Sequence, residues 1–369
     1  MSKIRVAVIG QGRSGRNIHT EHLKQDDRFR IMAVVDALPE RRERAARDYG
    51  CDVYADFHEL FARKDLDLVV NSTFSHLHVP VTLELLQAGF NVLCEKPLAA
   101  RAAEVDQVIE AAQKSGKLLA VYQNSRYAPY FEKVREVIDS GVLGRIVQIA
   151  IQFNGFSRRW DWQTLREWNG GNLMNTGPHP LDQALVLFGP GEPEVRCFMD
   201  RTEEGSSGTA ENHVKLLLSG RGHPVIDLEI SSCCAYPSFT YNVYGSRGGM
   251  KGTTSAMEWR YFIPGDEPQR PLDKNPIQNE EGLPVYLSEK MTWHTGRWPT
   301  EQEAEASQAE YSSAAAPVQG GMTRKFYSML HRTLTEGVPL EVTLEQVRRQ
   351  IAVIEEAHRQ NPQIYGSSD

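Results

Sequence analysis

The sequence has 369 residues, of which 40% are hydrophobic and 24% charged, and its formal net charge is -7. Single hydrophobic cores stop growing at roughly 250 to 300 residues, so a chain of this length predicts two domains. The acidic balance argues against a surface for nucleic acid or for an anionic membrane. The expected partners are therefore small molecules or further copies of the chain.

The five cysteines form no CxxC pair, and their odd number does not describe a disulfide framework. The first residues, MSKIRVAVIG, lack the hydrophobic segment and cleavage site of a signal peptide. No stretch approaches the roughly 18 to 20 apolar residues that a membrane helix needs. These features together predict a cytoplasmic protein.

Short β-branched runs alternate with helical patterns over residues 1–123. IRVAVI precedes a helix from about Ser14, and IMAVVD precedes PERRERAARDYG. The runs LDLVVNS, NVLCEK and KLLAVY continue this alternation. Strands alternating with helices predict crossover units, and hence a doubly wound α/β domain around a parallel sheet.

The pattern changes in residues 124–369. A helix near residues 130–140 is followed by the predicted strands RIVQIAIQF, EVRCFMD, NHVKLLL, VIDLEIS and FTYNVYG. Strands joined by turn-like stretches predict an α+β domain with a large, mostly antiparallel open sheet. Residues 253–321 lack periodicity and predict an extended surface arm. Two helical patterns close the chain within residues 322–360, the second opened by Thr343 as N-cap.

A glycine-rich turn, GQGRSG at residues 10–15, follows the first predicted strand and opens a helix. Asp36 ends the second strand about 20 residues later, as a dinucleotide fingerprint requires. An acidic residue here repels a 2'-phosphate, so NAD is favoured over NADP, although Arg41 and Arg42 could receive that phosphate. The alternative is a tight turn that binds no nucleotide.

Two further stretches carry reactive side chains. VLCEKPLA places Lys96 before a proline, which holds it extended at the carboxyl end of a strand, where open α/β sheets bind ligands. GGNLMNTGPHPLD sets His179 four residues after Asn175 at a helix start. The alternatives are a surface Lys-Pro loop and an Asn/Gly/Pro-rich helix entry.

These motifs, together with NSRYAPYFEKVREVIDSGVLGRIVQI, resemble the Gfo/Idh/MocA family of NAD(P)-dependent sugar and inositol dehydrogenases. The resemblance runs from residue 3 to about residue 190 and resumes in the closing helices. It implies a Rossmann domain in residues 1–123 and a second domain that carries the substrate. It also implies a cis bond before Pro97 and a homo-oligomer, a dimer or tetramer, formed through the second sheet.

The glycine-rich turn and the resemblance together define the expected cofactor contacts. These are Gly10, Gln11, Gly12, Arg13, Ser14, Gly15, Asp36, Thr73, Ser75, His78, Glu95, Lys96 and Asn124. The pair His76 and His78 invites a metal, but no matching carboxylate or cysteine set accompanies it, so no metal is expected.

The expected substrate contacts lie in the second domain and at the hinge. They are Arg126, Asn154, Arg158, Arg159, Trp160, Trp162, Asn175 and His179. Arginines among tryptophans suit a sugar ring that bears an anion, and solvent-exposed arginines around packed aromatics are the alternative. For Arg126 the alternative is a role in stabilising the hinge.

The family's acid/base pair is spaced Asp-x-x-x-His, which falls here on Asn175 and His179. A carboxylate at position 175 would raise the pKa of Lys96 and His179, whereas an amide donates and accepts hydrogen bonds without charge. We therefore expect both groups to be more readily neutral, with Asn175 positioning a substrate hydroxyl or His179. Asp182, three residues after His179, is a candidate to orient the imidazole.

The resulting functional prediction is an NAD-dependent oxidoreductase acting on a secondary alcohol of a sugar, inositol or sugar acid, with Lys96, His179 and Asn175 as catalytic residues. Two alternatives remain open at this point. One is an enzyme that cleaves glycosides through transient oxidation by bound NAD. The other is a dinucleotide sensor without catalysis.

Overall fold

The computed structural model describes residues 3–266, 268, 270–300 and 317–366. The strands of these residues form two sheets, one of six strands and one of eight. None of the described helices has both the length and the hydropathy needed to cross a membrane. All five cysteines are free thiols.

The first sheet is parallel and covered by helices. Its strands are β1 (Ile4–Ile9), β2 (Phe29–Val35), β3 (Asp52–Tyr54), β4 (Leu68–Asn71), β5 (Val92–Cys94) and β6 (Leu119–Val121). A π-helical turn (Gly15–Thr20) leads into α1 (Glu21–Gln25), and α2 (Pro39–Tyr49), α3 (His78–Gln87) and α4 (Ala102–Ser115) follow. The strand order β3-β2-β1-β4-β5-β6 reverses direction between β1 and β4, the crevice where doubly wound sheets bind ligands.

The second sheet is antiparallel except where β7 and β10 pair. Helix α5 (Pro129–Asp139) precedes β7 (Ile146–Asn154), and α6 (Asn172–Asn175) and α7 (Pro178–Phe188) follow it. The remaining strands are β8 (Glu194–Asp200), β9 (His213–Ser219), β10 (Val225–Ser231), β11 (Tyr241–Gly245), β12 (Gly248–Gly252), β13 (Met257–Tyr261) and β14 (His294–Trp298). The order is β14-β13-β12-β11-β7-β10-β9-β8.

Burial alternates along the strands of this sheet. In β9 the side chains of Val214, Leu216 and Leu218 are buried, while the residues between them are partly exposed. One face therefore packs on the core and the other is open, which is the arrangement expected of an antiparallel sheet. The predicted fold class, a Rossmann domain with a mostly antiparallel α+β domain, is confirmed.

The prediction for residues 253–321 is wrong in part, because β13 and β14 lie within this segment and extend the second sheet. The stretch MEWRY alternates buried Met257 with exposed Glu258, a period-2 pattern that is short enough to be lost among prolines and glycines. Residues 301–316 of the predicted arm lie outside the described residues.

The chain closes with α8 (Pro317–Glu336), α9 (Leu344–Arg359) and α10 (Pro362–Tyr365). Thr343 caps α9 as predicted, since its Oγ1 accepts from the Gln346 N–H at 3.3 Å. Although the sequence groups α8 with the second domain, its Phe326 and Tyr327 are fully buried in one cluster with Val6 of the parallel sheet. The domain division at residue 123 stays a prediction.

Candidate active site

The glycine-rich turn is shaped for close approach. Gly10 has a φ of +89°, and a Cβ on it would lie 2.5 Å from the Ser72 carbonyl oxygen. A Cβ on Gly15 would lie 1.8 Å from the Gly10 oxygen, whereas one on Gly12 would meet no described heavy atom within 4 Å. The turn is thus closed toward β4 and open at Gly12, which fits a pyrophosphate approaching the backbone.

Asp36 lies beside this turn. Its carboxylate accepts the Gln11 N–H at 2.7 Å and the Leu38 N–H at 3.0 Å, and a guanidinium nitrogen of Arg41 lies 3.3 Å away. Arg42 donates to the Asp36 carbonyl at 2.8 Å. The side-chain Oε1 of Gln11 is buried and has no hydrogen-bond partner among the described residues. A fixed carboxylate and an unsatisfied acceptor fit the donor hydroxyls of a ribose.

His78 lies against backbone groups, and its predicted cofactor contact stays a prediction. It is buried, and its ring nitrogens lie 2.6 Å from the Pro97 oxygen and 3.2 Å from the Thr73 oxygen. Burial lowers the pKa of His78, which favours the neutral ring. Because both nitrogens face backbone carbonyls, His78 ties the loop after β4 to the turn after β5. The cofactor roles of Thr73, Ser75 and Asn124 stay predictions.

A buried polar chain lies behind Lys96. Glu95 accepts the Lys96 N–H at 3.1 Å through Oε2, and its Oε1 lies 3.1 Å from His19 Nε2. The other nitrogen of His19 lies 2.7 Å from the Tyr327 hydroxyl. Burial opposes ionisation of Glu95, but the hydrogen bond and charge of His19 outweigh it and lower the pKa of Glu95 to about 2. Glu95 thus holds the backbone of Lys96, and its predicted cofactor contact stays a prediction.

Sequence reasoning missed His19 and Tyr327. A local signal exists for His19, which follows Gly15 by four residues and therefore shares the helix face that packs toward the sheet. Tyr327 offers no such signal, because its hydroxyl meets His19 across 308 residues of sequence.

Lys96 joins the two domains. It follows β5, and its peptide bond to Pro97 is cis, as the resemblance implies. Its Nζ donates to the main-chain carbonyl of Asn175 at 2.7 Å. Burial lowers the pKa of Lys96; the charge of Glu95 opposes this shift and that of Arg13 adds to it. The amine is therefore held at one point and releases its proton more readily than a surface lysine.

Asn175 meets Lys96 through its backbone and not through its amide. Its own N–H donates to the Gly171 oxygen at 2.8 Å, which closes the single turn of α6. The bond to Lys96 is therefore available to any residue at position 175. An amide at position 175 differs from a carboxylate in its charge, because a carboxylate would place an anion beside the Lys96 amine.

His179 has a defined tautomer. Its Nδ1 lies 2.9 Å from Gln123 Oε1 and 3.1 Å from Ser125 Oγ, while Gln123 Nε2 donates to the Pro178 oxygen at 2.7 Å. That second bond orients the amide, so its oxygen faces the imidazole and accepts from Nδ1–H. Burial and then the charge of Lys96 lower the pKa of His179 to about 3. The ring is therefore neutral near pH 7, with the lone pair on Nε2.

Arg126 is engaged in contacts at the hinge, and its predicted substrate role stays a prediction. Its guanidinium forms a buried pair with Asp182, at 2.9 Å from Nε to Oδ2, and also donates to the Glu341 carbonyl and the Gln346 amide oxygen. Arg126 thus fastens the hinge to α7 and α9. Asp182 is occupied by this pair, so it does not orient His179 as expected.

Asn154 lines a cavity of about 370 Å³ whose wall includes Asn172 and Thr176, the latter directly after Asn175. Its Nδ2 donates to Glu229 Oε1 at 2.7 Å, whereas its Oδ1 is buried without a partner in the described part of the chain. Further polar residues of the wall are Gln152, Ser157, Ser231, Ser232 and Thr240. Amides and hydroxyls of this kind suit a neutral polyhydroxylated ligand.

Arg158 and Arg159 lie outside the lining of this cavity. Arg159 binds Asp161 through two bonds of 2.9 Å and 2.8 Å, and the exposed Arg158 donates to the Glu204 carbonyl at 2.8 Å. The expected anion grip is therefore not formed, because an acid two residues away already occupies the fork of Arg159.

The two predicted tryptophan contacts are also not at the cavity. Trp160 is 81% exposed. The ring of Trp162 packs edge-on against Phe74, with centroids 5.1 Å apart, and Trp168 adds to the same cluster. Trp162 thus connects the loop after β7 with the loop after β4. Within the described ranges, no three His, Cys, Asp or Glu side chains are grouped to hold a metal ion.

The environment of His179 predicts a pH-dependent contribution to stability. Because its folded pKa of about 3 lies below the ordinary 6.5, the contribution is present above pH 6.5 and is lost as pH falls toward 3. We expect the melting temperature of wild type to fall more between pH 7 and pH 4 than that of His179→Gln. His331→Gln, which removes an imidazole on α8, is the control and should follow wild type. Equal losses in wild type and His179→Gln would contradict a buried neutral imidazole.

Two family models match the chain. Residues 4–123 match the oxidoreductase family with an NAD-binding Rossmann fold, and residues 131–251 match the GFO/IDH/MocA C-terminal domain. The chain is 26% identical over 364 residues to the scyllo-inositol 2-dehydrogenase (NADP(+)) IolW of Bacillus subtilis, covering 96% of this chain and 92% of that protein. It is 30% identical over 261 residues to the 2,7-anhydro-N-acetylneuraminate hydratase of Mediterraneibacter gnavus, covering 68% and 67%.

The chain spans about half the length of other curated relatives, such as 53% of an uncharacterized oxidoreductase of Schizosaccharomyces pombe. Among solved structures it resembles the WlbA dehydrogenase of Bordetella pertussis, solved with NADH and UDP-GlcNAcA. The TM-score is 0.75 at 21% identity, over 98% of this chain and 96% of that one. The chain therefore belongs to the Gfo/Idh/MocA family of oxidoreductases.

Proposed function

We propose that the protein is an NAD-dependent dehydrogenase that transfers a hydride between a secondary alcohol of a sugar-like substrate and the nicotinamide. The observation that carries this proposal is the placement of the Lys96 amine at the Asn175 carbonyl, with its pKa lowered, beside a neutral His179. An alcohol oxidation needs a base within reach of the hydroxyl proton, and these two groups supply it.

NAD⁺, when bound, accepts the hydride, and residues 10–15 with Asp36 would hold it. Neutral Lys96 keeps one N–H on the Asn175 carbonyl and directs its lone pair at the substrate hydroxyl, whose proton it accepts. The unprotonated Nε2 of His179 accepts a hydrogen bond from the same or a neighbouring hydroxyl. In this scheme Gln123 keeps the proton of His179 on Nδ1, because its Oε1 accepts a hydrogen bond from that nitrogen. The lone pair therefore stays on Nε2.

For the substrate, we favour an inositol or a neutral sugar over a sugar acid. The cavity beside Asn175 presents amides and hydroxyls, and Arg159 is already paired with Asp161. A relative spanning most of the chain is named a scyllo-inositol 2-dehydrogenase, which supports this choice. That relative is named for NADP, whereas the carboxylate of Asp36 supports NAD here.

A second candidate is a reaction without net oxidation, in which the substrate is oxidised only transiently, as in the glycoside-cleaving alternative. It is favoured by one observation, that a relative 30% identical to the chain is named a hydratase. A sensor without catalysis is disfavoured, because Lys96 and His179 are both present and arranged for proton transfer.

We further propose a homo-oligomer, a dimer or tetramer, formed through the open face of the second sheet, and a reducing cytoplasmic setting. The exposure of Phe198 (66%) and Tyr244 (47%) on strands of that sheet supports an interface there, and the five free thiols support the setting.

Lys96→Met tests the proposed base. The variant keeps an unbranched, flexible side chain but cannot accept a proton, so we expect turnover to fall by roughly 10²-fold to 10⁴-fold while NADH still binds. Wild type and variant are mixed with NAD or NADP and a panel of inositols, sugars, sugar acids and glycosides. Reduced cofactor is followed by its absorbance and products are followed by mass spectrometry.

Each outcome of this panel has a clear meaning. Reduced cofactor that accumulates with a polyol supports the dehydrogenase. Product formation without reduced cofactor supports the second candidate. If the wild type binds NADH but converts no panel compound, or if Lys96→Met converts its substrate at the wild-type rate, the proposed function is wrong.

Asn175→Asp tests the role of the amide. The added negative charge should raise the pKa of Lys96, and activity that requires a neutral amine then begins at a higher pH, by about one pH unit. Asn275→Asp adds the same charge at an exposed position that does not line the cavity, and should leave the profile in place. The measurement is kcat/KM from pH 6 to 10. An unchanged profile in Asn175→Asp would remove this account of the amide.

A further inference from the structure

A second buried carboxylate lies on the opposite side of the catalytic turn from Lys96. Glu211 precedes β9 and is only 2% exposed. Its Oε1 accepts the Leu173 N–H at 2.7 Å, its Oε2 accepts the Tyr365 hydroxyl, and its main-chain oxygen accepts the Asn172 N–H at 3.2 Å. Three bonds thus converge on Glu211, two of them from the start of α6.

The backbone around Glu211 is built for this contact. Gly171 has a φ of +107°, and a Cβ on it would lie 2.3 Å from Glu211 Oε2, so only glycine allows the carboxylate to approach this closely. Asn175 bonds back to Gly171 across the single turn of α6. The start of the turn meets Glu211, and its last carbonyl meets Lys96. A displacement of the start of α6 therefore also displaces the Asn175 carbonyl at its end.

Tyr365 brings the far end of the chain to this point. Arg166 donates to the Ile364 carbonyl at 2.6 Å, and the ring of His358 stacks on Tyr365 with centroids 3.7 Å apart. These residues come from the loop before α6 and from α9, so Tyr365 is held from both sides. With Cys197 on β8, whose pKa is raised by burial and then by the charge of Glu211, they are the titratable or charged groups among the described residues that face the pair.

We propose that Glu211 and Tyr365 are positioning residues, which together hold α6 so that the Asn175 carbonyl meets the Lys96 amine, and do so most firmly when Glu211 is protonated. The catalytic part of this inference rests on the proposed function. The structural part, that the ionisation of Glu211 loosens the turn, does not.

The protonated form fits all its partners. A protonated carboxyl accepts the Leu173 N–H at one oxygen and can donate its own hydrogen to the Tyr365 oxygen at the other, whereas ionisation places a negative charge in a buried site. Burial raises the pKa of Glu211 to about 7, against the opposing hydrogen bonds of Tyr365 and Leu173. Both forms are therefore populated near neutral pH.

The first test needs no substrate. Hydrogen exchange of the peptide covering residues 171–176 is compared in wild type and Glu211→Gln from pH 5 to 9, and the ratio of the two rates cancels the intrinsic effect of pH. Gln resembles the protonated acid, so the ratio should stay near one below pH 6. Above pH 8 we expect exchange at least threefold faster in wild type, because opening of the turn brings the ionised carboxylate into water. A ratio that does not change with pH overturns the proposal.

Melting temperatures give an independent check with the same sign. Because the folded pKa of Glu211 exceeds its ordinary 4.5, its contribution to stability is present below pH 4.5 and is lost as pH rises through about 7. Glu211→Gln does not undergo this loss, so its melting temperature should rise relative to that of wild type over this pH range. Glu203→Gln, at a side chain 84% exposed, is the matched control, and its melting temperature should not rise relative to that of wild type. Parallel curves for wild type and Glu211→Gln also overturn the proposal.

Activity then tests the catalytic part. With a substrate from the panel, kcat of wild type should fall through a step near pH 7 that is absent in Glu211→Gln. The step should move to higher pH in Tyr365→Phe, because that variant removes a bond that favours the carboxylate. A purely structural role would lower stability without moving the step, so an unmoved step rejects positioning. If no panel compound is turned over, the proposed function fails, and the exchange ratio still decides whether Glu211 controls the turn.

Discussion

The bond from the Lys96 amine to the Asn175 carbonyl is the contact on which the site depends. It links the end of β5 in the Rossmann domain to α6 in the second domain, across 79 residues of sequence. A partly buried amine needs a hydrogen-bond acceptor, and here the acceptor is a neutral main-chain group rather than an acid. The amine is therefore held in place by an uncharged group, and the charge of Glu95 opposes but does not cancel the lowering of its pKa by burial.

Both sides of this bond are supported by buried polar groups. Glu95 fixes the backbone of Lys96 and is itself fixed by His19 and Tyr327, so the closing helix α8 reaches the back of the site. On the other side, Glu211 receives the start of α6. Residues that are distant in sequence thus support the same bond between Lys96 and Asn175, which explains the position of the closing helices. Such networks are stable only when every member is satisfied.

The sequence was sufficient for the fold class, the glycine-rich turn and the motifs that contain Lys96, Asn175 and His179, because each depends on local periodicity or close spacing. It was insufficient wherever the contacts of a side chain depend on residues distant in sequence. Arg126 pairs with Asp182, and the ring nitrogens of His78 lie against two backbone carbonyls, and the spacing of residues in the sequence reveals neither contact. His19 and Glu211 were missed for the same reason. The strands β13 and β14 were missed because five residues among prolines and glycines give a weak pattern.

The most direct test of this account is the pKa of Lys96 itself. It can be measured in the intact protein from the pH dependence of acetylation of Lys96 by trace acetic anhydride, read by mass spectrometry against exposed lysines such as Lys64. The account predicts a pKa for Lys96 below the ordinary value of 10.5. A value at or above 10.5 would mean that the amine is a permanent cation at neutral pH, and would contradict its role as the base.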